Sequence, residues 1–126
     1  MLLYEEKTEQ IIKCFYKVYN ALGYGFLEKV YENAITKELS DRGLNCKQQS
    51  SVKVFYNRTE VGLYFADIIV DDQIIIELKA GKGEILVQHE LQLINYLKAT
   101  RFEVGLILYF GEKPTIKRKI LTNNMK

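Results

Sequence analysis

Two continuous β-branched runs, Ile68-Ile69-Val70 and Ile74-Ile75-Ile76, are separated only by Asp71-Asp72-Gln73, with Asp67 before the first run and Glu77 and Lys79 after the second. Strands that are apolar at consecutive positions belong in the middle of a sheet covered on both faces. A chain with this centre must therefore place helices on either side of a sheet. The three ionisable groups at the ends of the runs are costly there unless they are paired or bind an ion. Side chains alternate along a strand, so Glu77 and Lys79 share one face while Leu78 points to the other. A three-residue loop from Asp71 to Gln73 pairs Val70 with Ile74, hence Asp67 with Glu77, and all three charges converge. A two-residue loop would put Asp67 on the other face unless a bulge restored it.

The flanking segments supply the helices. Ile11, Ile12, Phe15, Val18, Tyr19 and Leu22 recur with helical spacing, in an element starting at Thr8 or just before it. Gly23-Tyr24-Gly25 interrupts the pattern, and Leu27, Val30, Tyr31, Ala34, Ile35 and Leu39 resume it up to Arg42-Gly43. Val52, Val54 and Tyr56 then alternate as a strand that ends in a turn at Asn57-Arg58-Thr59, and the next strands run from Val61 to Val70 and from Ile74 to Lys79. Ile85 to Thr100 is helical through Leu91, Ile94 and Leu97. It is followed by a strand from Phe102 to Phe110, a turn from Gly111 to Pro114, and a shorter basic strand from Thr115 to Leu121. The order α, α, β, β, β, α, β, β predicts a mixed α/β (α+β) fold: a central mixed sheet flanked by helices, with an extra N-terminal helix and a short C-terminal strand. At 126 residues it is expected to be one domain spanning 1–126.

Composition removes several function classes. The 18 basic and 16 acidic residues leave a net charge of +2, too balanced to imply tight nonspecific attraction to nucleic acid. Cys14 and Cys46 lack CxxC spacing and read as free thiols in a reducing compartment. The acidic opening MLLYEEKTEQ is unlike a signal peptide, and no stretch approaches the roughly 18 apolar residues of a membrane span. A soluble cytoplasmic protein without membrane contact is expected. His89 is the only histidine, which leaves no parts for a Ser-His-Asp triad or a His-rich metal site unless it serves alone, and Gly81-Lys82-Gly83 lacks the GxxxxGK[ST] pattern of a phosphate loop.

What remains is the carboxylate pair. Asp67 and Glu77 on one face suit Mg²⁺ or Mn²⁺, with the Leu78 carbonyl as a further ligand; Mg²⁺ takes one or two carboxylates and keeps waters for the substrate side. Lys79 beside such a cation can orient the attacking water or stabilise charge growing on a phosphodiester. The competing reading is a structural Asp67–Lys79 ion pair with Glu77 solvated at the edge. Glu28 lies about one turn beyond Gly25, where it either joins the site or interacts with the helix dipole. Gln92 and Tyr96 are four apart and project from one helix face, with His89 a turn earlier, either as site residues or as a polar face with a packed tyrosine. Lys82, Lys113, Lys117, Arg118 and Lys119 form a local basic set, either a nucleic-acid contact surface or an ordinary solvated face.

The stretch Gly25-Phe26-Leu27-Glu28-Lys29-Val30-Tyr31 matches the signature of the GxxExxY protein family, a group of small bacterial and archaeal proteins placed in the PD-(D/E)XK nuclease superfamily. The resemblance continues through Ala66-Asp67, Ile76-Glu77-Leu78-Lys79-Ala80 and the segment from His89 to Thr100, covering nearly the whole chain. It implies a restriction-endonuclease-like αβββαβ core with Asp67 and Glu77 as metal ligands and Lys79 as the catalytic lysine. Glu28 resembles the acidic residue that many members bring near the metal from the first core helix, and Tyr31 belongs to the same signature. Gln92 and Tyr96 resemble the QxxxY element of RecB-like nucleases. Two positions depart from the pattern: Tyr24 stands where proline is often found, and Phe65 where a basic residue is common. The resemblance implies a metal-dependent nuclease acting on DNA in preference to RNA. The alternative is a noncatalytic nuclease-fold module for binding or assembly within a larger nucleic-acid-processing complex. The oligomeric state is left open, a homodimer included, because the apolar first helix and the Phe102 to Phe110 strand also suit self-association.

Overall fold

A computed structural model describes residues 3–126, in the order α1 (Glu5–Leu22), α2 (Glu28–Asp41), β1 (Cys46–Tyr56), β2 (Thr59–Val70), β3 (Ile74–Ala80), α3 (Val87–Ala99), β4 (Val104–Phe110), β5 (Pro114–Ile120) and a 3₁₀ turn (Asn123–Met125). The strands form one sheet in the order β1-β2-β3-β4-β5, antiparallel except for the β3–β4 pair. Parallel pairing there follows from the α3 crossover, since two parallel strands cannot be joined by a tight turn.

Burial on both faces accounts for the β-branched runs. Ile68, Val70, Ile74, Ile76 and Leu78 pack with Val104, Leu106 and Leu108 beneath α1 and α2, where Phe15, Tyr31 and Phe110 join them. Ile69, Ile75 and Ile107 face the other way, onto Leu93 and Leu97 of α3. Gly105 lets α3 lie this close, because a Cβ there would sit 2.6 Å from Leu93 Cδ1. Cys14 and Cys46 are free thiols, and burial raises both, Cys46 to about 11, so they are poor nucleophiles.

Several ends fall a residue or two from the expected ones. The β1–β2 turn is Asn57-Arg58 alone, both with positive φ (48° and 65°), so β2 begins at Thr59. Pro114 opens β5 instead of closing the preceding turn, a first-strand position where its missing N–H is tolerated. Strand β4 begins at Val104, after Phe102, so the final strand β5 is as long as β4, where the sequence predicts a shorter one. The first helix begins at Glu5, and the Thr8 hydroxyl donates back to the Tyr4 carbonyl at 2.9 Å.

The Asp71 to Gln73 loop has three residues, as the charge-convergence scheme requires. Asp71 and Asp72 take positive φ (50° and 55°), the Gln73 N–H donates to the Val70 carbonyl at 2.9 Å, and Val70 pairs with Ile74. Beyond Ile68↔Ile76 the two strands part, while β2 stays paired with β1 out to the hairpin tip. The hairpin therefore projects past the sheet, with Val61, Leu63 and Phe65 exposed along one side. The parting point of β2 and β3 is where the charged residues lie.

Candidate active site

Asp67 stands at a reversal of the strand. Tyr64 and Ala66 pack on the α3 side together with Ile69, whereas Ile68 and Val70 pack on the α1/α2 side, so simple alternation is broken between Ala66 and Ile69. The opposing strand breaks at the same level. Gln48 pairs with Ile68 and Ser50 with Ala66, but Gln49, with φ 49°, does not pair with Asp67. Freed from the ladder, the Asp67 carboxylate reaches β3, where its Oδ2 accepts the Leu78 N–H at 2.8 Å. The side chain supplies the acceptor that the diverging main chain no longer offers.

Glu77 is next to Leu78 on β3, and its Oε1 is buried without a hydrogen-bond partner. Burial, the adjacent Asp67 charge and a hydrogen bond that the neutral form donates to Asp67 push the Glu77 carboxyl up to about 8, with Lys79 opposing and Glu28 adding to the rise. Glu28 at the start of α2 is also raised, by partial burial first; Lys79 opposes that shift, and Asp67 and Glu32 reinforce it. The fold therefore brings Glu28, Asp67, Glu77 and Lys79 within electrostatic reach of one another. Among the described residues neither Lys79 nor Glu77 enters a salt bridge, so the structural Asp67–Lys79 ion pair is not formed.

Two neighbouring carboxyls, one of them with an orphaned buried oxygen, fit a hard divalent cation. Among the described residues no three Asp, Glu, His or Cys side chains make a ready-made cage. Glu28 thus feels the pair without completing a three-carboxylate set. This suits a cation that retains waters better than one enclosed by protein.

Tyr31 has a structural part in this arrangement. Its buried hydroxyl donates to the Gly23 carbonyl at 2.7 Å and accepts the Phe26 N–H at 3.2 Å, while its ring stacks on Phe110 at 4.0 Å. Gly23 and Gly25 have positive φ (69° and 111°), so the tyrosine pins the loop that launches α2 and sets where Glu28 begins. Tyr31→Phe is expected to lower unfolding free energy by about 1–3 kcal/mol, because it strands a carbonyl and an N–H; a denaturant midpoint measures this.

On α3, Gln92 donates to the Tyr96 hydroxyl at 3.0 Å, and the Tyr96 ring stacks on Tyr64 at 3.6 Å and 6°. The Tyr64 hydroxyl is buried without a partner and raised, first by burial and then by Glu77. Gln92 and Tyr96 thus connect to Tyr64, whose hydroxyl is within electrostatic reach of Glu77 and Asp67; Tyr64 was not singled out in the sequence. His89 is accounted for locally: its Nδ1 accepts the Leu86 N–H at 3.1 Å and caps α3.

The basic set does not form one surface. Lys82, Lys113 and Lys117 are exposed, but Lys119 pairs with Glu90 of α3 at 2.6 Å. Arg118 lies on the opposite side of β5, donating to the Leu3 carbonyl at 3.0 Å, with its Nε buried and unpartnered. Strand alternation separates Arg118 from Lys117 and Lys119.

Glu32 was also missed. It is 4% exposed and accepts from Lys29 Nζ (2.8 Å), Gln48 Nε2 (2.7 Å) and Gln49 Nε2 (2.8 Å); the same Gln49 amide also donates to Asp67 Oδ1 at 3.2 Å. The signal was present in the sequence, since Glu28, Glu32, Ile35 and Leu39 form one helical stripe and a carboxylate in an apolar stripe needs partners.

A five-stranded mixed sheet flanked by helices, with its charged residues where the hairpin leaves the sheet, is a restriction-endonuclease-like α/β fold. The chain belongs to the PD-(D/E)XK nuclease superfamily, whose family model matches residues 5–120. The crystal structure of SSO0001 shares the fold, with a TM-score of 0.56 and 18% identity over 94% of this chain, which spans 60% of that structure's length. The chain matches none of the curated proteins. No helix among the described residues is long and apolar enough to cross a membrane.

Proposed function

We propose that this protein hydrolyses phosphodiester bonds of nucleic acid, DNA first, at a Mg²⁺- or Mn²⁺-dependent site built from Asp67, Glu77 and Lys79. The observation that carries the reading is the buried, unpartnered Oε1 of Glu77 beside Asp67. An apo fold that keeps two carboxyls together holds one of them protonated up to about pH 8, and a divalent cation would take the place of that proton. The cation, when bound, would polarise the phosphate and lower the pKa of a ligated water. Asp67 and Glu77, with the Leu78 carbonyl, hold it. Lys79, free of any salt bridge among the described residues, presents its ammonium to the nonbridging oxygens as negative charge grows on them. Glu28 is placed to orient a water on the α2 side, and Gln92 with Tyr96 to fix the α3 side through Tyr64. Lys82, Lys113 and Lys117 are the exposed cations available to the backbone of the substrate. Kinship with the GxxExxY family and a cytoplasmic setting accord with this reading.

A second reading keeps the same fold as a noncatalytic binding or assembly module. A panel of labelled duplex, single-stranded, flapped and branched DNAs, with RNA alongside, incubated with Mn²⁺ and the wild type or Asp67→Ala, separates the two. Cleavage by the wild type alone supports the enzyme; binding without cleavage by either protein supports the module.

A further inference from the structure

We propose that Gln49 is a positioning residue, an amide suspended between buried Glu32 and Asp67 that holds the Asp67 carboxylate in the orientation the cation requires. The inference rests on the metal-site reading above and adds to it a residue outside both the carboxylate–lysine set and the α3 pair.

Three observations converge on Gln49. Its backbone has φ 49°, a left-handed conformation in the interior of a strand, which a side chain with a Cβ adopts only when its surroundings compensate. The distortion lies opposite Asp67, at the one interruption in the β1–β2 pairing before the shift near the hairpin tip. The compensation is visible: Gln49 Nε2 donates to Glu32 Oε1 at 2.8 Å and to Asp67 Oδ1 at 3.2 Å, using both of its hydrogens.

The consequence for Asp67 is geometric. Its Oδ2 is held from the β3 side by the Leu78 N–H and its Oδ1 from the β1 side by Gln49, so rotation about the Cβ–Cγ bond breaks one bond or the other. Each oxygen keeps a lone pair for a cation. Glu32 fixes the amide in turn, because a carboxylate at 4% exposure with donors from Lys29, Gln48 and Gln49 cannot swing away without losing them. Helix α2 is thereby tied to the metal ligand by two bonds in series. Partners that orient metal ligands in this way change metal affinity about 10–100-fold when removed.

Gln48 provides an internal control. Its amide also donates to Glu32, at 2.7 Å, and to Asn33 at 2.8 Å, but it does not touch Asp67. Both glutamines tie β1 to α2; only Gln49 continues to the candidate ligand. A purely structural role for this junction makes Gln48→Met and Gln49→Met equivalent. A positioning role separates them.

The test uses two readouts on the full chain. Titration calorimetry with Mn²⁺ is expected to show at least about tenfold weaker binding for Gln49→Met and wild-type binding for Gln48→Met. In metal-free protein, hydrogen exchange at the Leu78 amide is expected to accelerate in Gln49→Met and not in Gln48→Met, because the carboxylate that accepts it has lost its second anchor. Should Gln49→Met not fold, Gln49→Asn, which keeps the polarity but is one methylene shorter, takes its place. Wild-type Mn²⁺ affinity and Leu78 protection in the Gln49 variant, or equal losses in both glutamine variants, overturn the proposal. Absence of Mn²⁺ binding in the wild type, with Leu78 exchange still responding to Gln49 alone, overturns the metal reading and its cation-specific consequence while confirming the anchor on Asp67.

Discussion

Lys79→Ala is expected to slow single-turnover cleavage by about a hundred- to a thousandfold, the cost of removing one preorganised charge aimed at the transition state. Mn²⁺ affinity is expected to hold or rise, because an ammonium close to a cation site repels the cation and supplies no ligand atom. That separation of binding from chemistry identifies the residue's role. Glu77 and Lys79 lie two apart on β3 and share a face, and the register that pairs Lys79 with Tyr109 of β4 fixes the strand through main-chain bonds that the substitution leaves in place. Rapid-quench kinetics at saturating Mn²⁺ measure the effect. Unchanged cleavage would assign the activity to something other than this site, and a parallel loss of Mn²⁺ binding would make Lys79 a structural partner of the carboxylates.

The metal-free protein is expected to lose stability as pH rises from about 5 to above 8, and Glu77 is the cause. Its carboxyl is raised in the fold from an ordinary 4.5 to about 8, by burial first and then by Asp67. Below the ordinary value folded and unfolded chains are both protonated at this group and the full benefit is present. Between the two values only the folded chain keeps the proton, so stability falls with each increment of pH. The window sets a ceiling of roughly 5 kcal/mol, and relaxation around a carboxyl that is not fully enclosed leaves a few kcal/mol. Thermal melts from pH 5 to 9 are expected to decline for the metal-free wild type and to stay flatter for Glu77→Gln, which carries no charge to bury. Saturating Mg²⁺ at pH 8 is expected to restore the wild type through binding to the native state, and to leave Glu77→Gln unmoved. A flat wild-type profile would mean that Glu77 ionises freely in the fold.

The central hairpin was legible because its cues are local. Asp71 and Asp72 tolerate positive φ and the apolar runs on either side demand burial on both faces, which places the turn; its length was open between two and three residues, and the fold takes three, pairing Val70 with Ile74. The order of elements followed from the same periodicities. The break at Gln49 and Asp67 was not legible, since nothing in Gln48-Gln49 announces a left-handed residue; that conformation comes from partners on α2 and β2 brought together only by folding. It also changes how Asp67 reaches Glu77. Alternation alone makes them an opposed main-chain pair, whereas here the strands part and the carboxylate spans the gap to Leu78.

Glu32 and Tyr64 escaped for related reasons. Tyr64 looks ordinary on its own strand, and the apolar stripe around Glu32 shows a need for partners without naming them; each is defined by what packs against it, two glutamines from β1 in one case and the Tyr96 ring in the other. Arg118 erred in the opposite direction. Adjacent basic residues on a strand read as a cluster in sequence, although alternation sends Arg118 to the α1 side and Lys119 to Glu90. Glu28 and Tyr31 divide their labour: Glu28 feels Lys79 and Asp67, while Tyr31 holds the loop that places it.

The most direct test of the site is titration calorimetry with Mn²⁺ on the wild type, Asp67→Ala and Glu77→Gln at pH 8. Saturable binding by the wild type that disappears in both variants is the expected result. Equal absence of binding in all three proteins, or undiminished binding in Asp67→Ala, would contradict a cation held between Asp67 and Glu77.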